Sequence, residues 1–387
     1  MEAFKDKLSM PQVRIIALHL SKQLNTSSFN QDAFCTTIEA KLYSLELKQR
    51  AQFIADEIHK VLPAELELRY QMIRGMLHTR PHANLKVSQE CDENGLCSWP
   101  MMSLGMVVAQ HGLDDFDLSL NLLKDMTAYF TCELDIRPFI IADQNKALAI
   151  ISSWVNDEDY HVRRLVSEGT RPRLPWAMQL PTLIKDPSPV IPLLTALRDD
   201  AEEYVRRSVA NHLNDIAKDH PDLIANIAKD WLKDENTPTS KEMNNNRLRL
   251  VKHACRTLIK QGHADTLAAF GIEPAKVTLE SLIPLNKEVK IGDSLNFELT
   301  LCSDSEKEQT LVIDYLIHHK KANGTLAAKV FKWKTLNLSP EQTLRIEKNH
   351  SFKIITTRKY YSGTHAVSVR INGADYGFCQ FTLIENL

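Results

Sequence analysis

A segment that recurs at a spacing of about 40 residues constrains this chain more than any other feature. VRRLVSEGTRP begins at Val162 and VRRSVANHLND follows 43 residues later at Val205; RLVKHACRT begins at Arg249, 42 residues after Arg207. Arg164, Arg207 and Arg249 therefore share one repeat position, and Val166, Val209 and Val251 another. A repeat of this length, in which one pair of helices cannot bury its apolar face alone, predicts a mainly α, HEAT- or armadillo-like solenoid. In the first copy Val162, Leu165, Val166 and Gly169 form an i, i+3, i+4, i+7 seam. In the second, Val205, Val209, Leu213 and Ala217 form a core column, and Arg207, Asn211 and Asp215 form another, about 200° away. Stacked copies would align an arginine ladder on one outward or concave surface, with Glu168, Asn211 and His253 beside it. A core explains the valines; it does not explain the ladder.

The first copy sits in DYHVRRLVSEGTRPRLPW, from Asp159 to Trp176, which holds four arginines, two carboxylates and a tryptophan. Arg164 and Glu168 lie four apart, on a helix face turned away from the apolar seam. Pro172 and Pro175 stop the helix and leave Trp176 at the mouth of the turn. Upstream, FTCELDIRPF places Glu133 shortly before Arg137-Pro138, as Glu168 precedes Arg171-Pro172. Taken singly, a surface salt bridge beside a buried Trp and a solvated acid at a helix end would account for these stretches.

The remaining chain falls into two kinds of pattern. Residues 1–75 read as helices, with Val13, Ile16, Ala17 and Leu20 in one amphipathic run and Leu47, Ala51, Ile54, Ala55 and Ile58 in another. Periodicity fails from Pro81 to Met101, a predicted loop with a Glu93-Asn94-Gly95 turn. Helices are predicted over Met102–His111, Leu118–Glu133, Asn145–Val155, Val190–Leu197 and Leu223–Leu232, with a polar loop over Asn236–Asn246. Beyond Val277 alternation replaces the helical period: Leu295, Phe297, Leu299 and Leu301; Leu311, Ile313, Tyr315 and Ile317; His365, Val367, Val369 and Ile371; then Tyr376, Phe378 and Phe381. Asn323-Gly324 and Asn372-Gly373 are hairpin turns. About seven short strands of this kind predict an immunoglobulin- or fibronectin-like sandwich. The boundaries are 1–272 for the helical domain and 276–387 for the sandwich. Lys320, Lys321, Lys329, Lys332 and Lys334 cluster around Trp333. Such a run is a solvated sheet face by default; an arm holding phosphates is the sharper reading, with Lys332 and Lys334 as its contacts.

Composition sets limits. The 387 residues can bury two cores, and 43% hydrophobic with 25% charged residues is ordinary for a soluble protein. A formal net charge of −2 gives no global basic field, so any nucleic-acid contact must gather its charge on one face. The seven cysteines are scattered, and Cys91 and Cys97 have neither zinc-ribbon nor thioredoxin spacing. Reduced thiols in a cytoplasmic monomer, without metal or cofactor, are expected. No segment approaches the apolar length of a membrane span.

LELKQRAQFIADEI from Leu45, FTCELDIRPF from Phe130, HVRRLVSEGTRPRLPW from His161 and VRRSVANHLNDIAKDHPD from Val205 together resemble the AlkC-type bacterial DNA alkylation-repair glycosylases, a branch of the HEAT-like repeat DNA glycosylases. The sandwich is similar to the immunoglobulin-like domain that one subgroup carries. The resemblance implies base excision repair of alkylated duplex DNA, with removal of 3-methyladenine and 3-methylcytosine and without base flipping. It maps the family's acids and aromatic onto Glu133, Glu168, Asp215 and Trp176, and its DNA-contacting arginine onto Arg164. Arg207 and Arg249 join Arg164 through the repeat.

These residue types suit that reaction. An N3-alkylated base is already cationic and leaves without being protonated, so the barrier lies in the oxocarbenium-like sugar, which carboxylates stabilise. Asp215 and Glu168 are the expected principal acids, with Glu133 in support, and Trp176 offers a π face to the cation. Two other readings stay open: a HEAT-like scaffold for a protein partner, and a non-catalytic binder of damaged or branched DNA. Convergence of the three acids on one surface would separate the enzyme from both.

Overall fold

The computed structural model describes residues 4–24, 29–79, 91–233, 240–356 and 358–385. Residues 81–90 of the loop predicted over Pro81–Met101, and residues 236–239 of the predicted polar loop, lie outside these residues. The chain divides into two compact units, Met1–Asp219 with Asn245–Leu250, and His220–Asn244 with Val251–Leu387.

The first unit is helical throughout. Its elements include Met10–Gln23, Leu47–Val61, Pro100–His111, Phe116–Met126, Tyr160–Gly169 and Glu203–Ile216. Both predicted amphipathic runs face inward: Val13, Ile16, Ala17 and Leu20 are buried, as are Ala51, Ile54, Ala55 and Ile58. The repeat is visible in its hydrogen bonds. Arg163 donates to the carbonyls of Asp157 (2.8 Å) and Glu158 (3.0 Å), and Arg206, 43 positions on, donates to those of Asp200 (2.5 Å) and Ala201 (2.7 Å). In each copy the first arginine of Val-Arg-Arg fastens the turn before its helix, satisfying carbonyls that the turn leaves open.

Most predicted helices shift by one to three residues at an end, and two limits move further. The helix expected over Leu118–Glu133 ends at Met126, so Glu133 stands in a turn. Ser98 takes the carbonyl of Tyr129, and Cys132 donates to the Thr127 hydroxyl, so the helical ladder does not continue to Glu133. The polar loop expected to reach Asn246 becomes helix from Lys241, because Ser240 accepts from the Met243 amide and caps it.

The second unit combines the helices Pro221–Lys233, Arg256–Gln261 and Ala264–Ala269 with a two-sheet sandwich. Its strands are β1 (Val277–Pro284), β2 (Glu288–Lys290), β3 (Ser294–Ser303), β4 (Gln309–Lys320), β5 (Leu326–Leu338), β6 (Thr343–Ser351), β7 (Gly363–Ile371) and β8 (Ala374–Ile384). One sheet has the order β1-β3-β6 and the other β2-β8-β7-β4-β5. The residues that alternate in β3, β4 and β7 all point into one core. In β8 the phase breaks at Gly377 (φ 61°); Phe378 is exposed while Phe381 is buried. Asn372 and Gly373 turn β7 into β8 at φ 45° and 89°, the paired left-handed conformations of a tight hairpin. Gly373 also meets Gly262 backbone to backbone, where a Cβ on Gly262 would lie 2.4 Å from the Gly373 Cα. Arg370 on β7 donates to the carbonyls of Lys260 and Gln261, which seats the last helices on this hairpin.

The sandwich core is rich in histidine. Burial, with Arg358 nearby, draws His319 down to about 3; burial, with Arg358 and Lys329, draws His350 down to about 4. His318 and His365 are also lowered, chiefly by burial. Each group has a folded value below its unfolded one, so its contribution is complete above about pH 6.5 and drains away as pH falls from there toward 4. Calorimetry of the full chain should show Tm falling by about 5–10 °C between pH 7 and pH 5, and by less in H350Q. An unchanged Tm over that range would contradict the buried neutral assignment.

Candidate active site

Two parallel devices bring the acids together. Asp159 caps the helix Tyr160–Gly169 by accepting from the His161 amide at 2.7 Å, and Val162, Leu165 and Val166 bury its apolar seam. The helix Glu203–Ile216 buries Val205, Val209 and Leu213 and lies against the first. Small residues meet at the contact: the Ser208 hydroxyl is 2.9 Å from that of Ser167, and His212 donates its Nδ1–H to the Ser167 carbonyl at 2.9 Å. His212 is wholly buried and drawn down to about 3 by that burial, so it is a neutral structural group. This packing holds Glu168 and Asp215 next to one another.

The acids and bases then alternate along a chain. Arg164 donates to Glu133 Oε2 at 2.6 Å and to the Thr131 hydroxyl at 2.9 Å, with Glu168 Oε1 3.6 Å away. Arg171 donates from Nη1 to Glu168 Oε1 at 2.6 Å and from Nε to Asp215 Oδ2 at 2.8 Å. Lys218 closes the row on Asp215 Oδ1 at 2.9 Å. Ser208 donates to Glu168 Oε2 at 2.6 Å, and Thr131 to Glu133 Oε2 at 2.5 Å. Among the described residues, Glu133 Oε1 is the carboxylate oxygen of these three acids that accepts no hydrogen bond.

Burial and charge act together here. Glu168 is 6% exposed and Asp215 3%, so the two acids expected to face solvent are enclosed. The reason is Arg171, itself buried, which brings a cation to both of them. Burial works against the charges of Arg164 and Arg171, but the facing carboxylates outweigh it and raise both above the ordinary arginine value. Behind the row lies Asp135, whose carboxyl is pushed up to about 8 by burial and by Glu133. It is a neutral acid at pH 7.

The predicted residues do not all gather here. Arg164 folds into the acid row under the Tyr204 ring, 4.8 Å from its centroid. Arg207, at the same repeat position, is exposed and pairs with Glu203 one turn away on its own helix. Arg249 is exposed on the helix Lys241–Ala254. Trp176 stands 64% exposed at φ 65°, a left-handed conformation uncommon for a bulky side chain. Its carbonyl accepts from Lys48, and its ring meets Phe4 edge-on at 6.3 Å. Lys332 and Lys334 lie exposed on β5, opposite Phe331 and Trp333, which pack on the sandwich core.

Sequence reasoning missed Arg171, Lys218, Ser208, Thr131 and Tyr204 as members of the row. Arg171 and Lys218 each stand three residues after an acid, which is their one local signal, but both lie past the end of the helix that carries it. Ser208 and Tyr204 carry none, since Ser208 reaches Glu168, and Tyr204 reaches Arg164, only across the helix–helix contact. Among the described residues no cluster of three or more His, Cys, Asp or Glu side chains could hold a metal ion, and no helix is long and apolar enough to cross a membrane.

Comparison with known proteins bears on the family and the fold of the whole chain. Residues 278–385 match the family model described as "Uncharacterised protein YhaZ, C-terminal Ig-like domain". The chain is 37% identical over 347 residues to "Uncharacterized protein YhaZ" of Bacillus subtilis (strain 168), covering 89% of this chain and 90% of that protein. The solved structure of the Pseudomonas fluorescens alkylpurine DNA glycosylase AlkC, bound to DNA containing an abasic site analog, superposes with a TM-score of 0.78 at 32% identity, covering 99% of this chain and 100% of that one. This chain therefore belongs to the AlkC family, with a helical-repeat fold followed by an immunoglobulin-like domain.

Proposed function

We propose that this protein is a DNA glycosylase of alkylation repair, which hydrolyses the N-glycosidic bond of cationic N3-alkylated bases in duplex DNA. The observation that carries the reading is the convergence of Glu133, Glu168 and Asp215 in one arginine-linked row. The likeness to AlkC over nearly the whole chain supports the coarse activity. 3-Methyladenine and 3-methylcytosine as substrates, action without base flipping, and a cytoplasmic monomer as the working form are the finer parts of the proposal.

The reaction follows from the charge on the base. As the bond from C1′ to the base nitrogen breaks, its electron pair neutralises the cationic base, and positive charge passes to the sugar. The row of ion-paired acids, already held in place, meets that charge without reorganising, which is where electrostatic catalysis gains most. Glu168 and Asp215 supply the fixed negative field. Glu133, with Oε1 open, accepts the hydrogen of a water that adds to C1′, and the water's proton leaves through that carboxylate. Trp176 turns its exposed face to the cation. Arg164 keeps the row from repelling the phosphates, and Arg207, Arg249, Lys332 and Lys334 contact the backbone.

Two experiments follow. Incubation with methylated DNA should release 3-methyladenine and leave abasic sites, and E168Q and D215N should each slow single-turnover release by about a hundredfold or more. Both acids are buried in ion pairs, so a melting curve must accompany each variant; wild-type release by either would remove that acid from the mechanism. Replacing Lys332 and Lys334 together by Ala should lower the slope of log affinity against log salt by about 2. An unchanged slope would take the sandwich lysines off the backbone.

A further inference from the structure

Arg137 is the largest charged side chain that is fully buried and pairs with no carboxylate among the described residues. It is 0% exposed, and its guanidinium donates to three backbone carbonyls far along the chain: Met178 from Nε at 2.7 Å, and Gly169 and Arg171 from Nη1 at 2.9 and 2.8 Å. Its Nη2 is buried without a partner. Burial, with Arg171 nearby, pulls it down to about 10, so it stays charged at neutral pH. Enclosing a cation this way is costly, and three carbonyls are a poorer partner than a carboxylate.

The three carbonyls explain the placement. Gly169 ends the helix that carries Glu168; Arg171 carries the guanidinium between Glu168 and Asp215; Met178 lies two residues beyond Trp176. One fork thus ties the backbone on both sides of Trp176. The turn contributes little of its own, with Ala177 donating to the Leu174 carbonyl at 3.3 Å and Leu180 to that of Pro172 at 3.1 Å. On its other side Arg137 starts the helix Arg137–Ala142, directly after the turn that holds Glu133, and neighbouring Ile136 fills the space that a Cβ on Gly169 would need, 2.2 Å away.

We propose that Arg137 is a positioning residue of the active site: it locks the Trp176 turn, and Arg171 within it, to the turn that presents Glu133. The inference rests on the proposed glycosylase activity for its kinetic consequence but not for its geometric one. The planar guanidinium aims its donors in fixed directions at acceptors on separate segments; a lysine keeps the charge and loses that geometry. Arg137 touches no substrate, so its effect must be transmitted through Trp176 and Arg171.

The test uses the full chain labelled with 5-fluorotryptophan, the Trp176 ¹⁹F signal being assigned by its loss in W176F. R137K and R137Q should shift or broaden that signal, lower single-turnover release of 3-methyladenine by about tenfold or more, and leave duplex affinity within about twofold. In the W176F background R137K should cost less than in the wild type, because both changes disrupt one unit. An unmoved Trp176 signal, an equal cost in both backgrounds, or loss of affinity in step with rate would overturn the assignment. Failure of both variants to fold would do so too, making Arg137 a general stabiliser. If the wild type releases no base at all the activity is wrong, and the ¹⁹F signal still decides the positioning.

Discussion

The structure depends on Arg171, a buried guanidinium shared by Glu168 and Asp215. Three carboxylates gathered this closely would repel one another. Arginines set between them offset that repulsion at the cost of desolvating every member. Replacing such a network with apolar side chains often leaves a protein no less stable, so its energetic justification lies elsewhere. On the proposed reading it lies in the reaction: a field that is already oriented when a cationic sugar forms. The same row limits what the acids can do. Glu168 and Asp215 have both oxygens engaged, and Glu133 alone keeps one open, which divides electrostatic support from water handling.

The helical repeat supplies the scaffold and then departs from its own symmetry. Arg163 and Arg206 make the same turn-fastening bonds, as equivalent positions should. Arg164 and Arg207 do not: one folds under Tyr204 onto the acids, and the other pairs with Glu203 in the open. The difference lies in what each arginine meets: Arg164 finds Glu133 and Thr131 of an earlier turn, and Arg207 finds Glu203 of its own helix. A function can thus be built into one repeat while the others keep the stack.

Much of this was legible in the sequence because it rests on periodicity. The core columns of the helices and of β3, β4 and β7 follow from spacing alone, as do the hairpins at Asn323-Gly324 and Asn372-Gly373. The acids could be named, but not their burial, because the residue that encloses them, Arg171, works through a turn whose path the helical period does not encode. The register of Glu133 was misread for a related reason. The segment from Thr127 to Cys132 keeps apolar residues at helical intervals, and the carbonyl of Tyr129 is claimed instead by Ser98. The lock at Arg137 was invisible: its acceptors are backbone carbonyls, which have no letter in a sequence.

If the ionised row supplies most of the rate enhancement, and no side chain protonates the departing base, substrate choice must follow the charge on that base. The direct measurement is single-turnover excision from matched duplexes, each carrying one lesion. Duplexes with 3-methyladenine or 3-methylcytosine should lose the base, and those with uracil or hypoxanthine should not, because neutral bases need protonation or a tailored hydrogen-bonding pocket to leave. Raised salt should weaken binding to all of them alike and leave the ranking intact. Release of uracil at a rate comparable to 3-methyladenine would contradict the account and require a general acid over a flipped base.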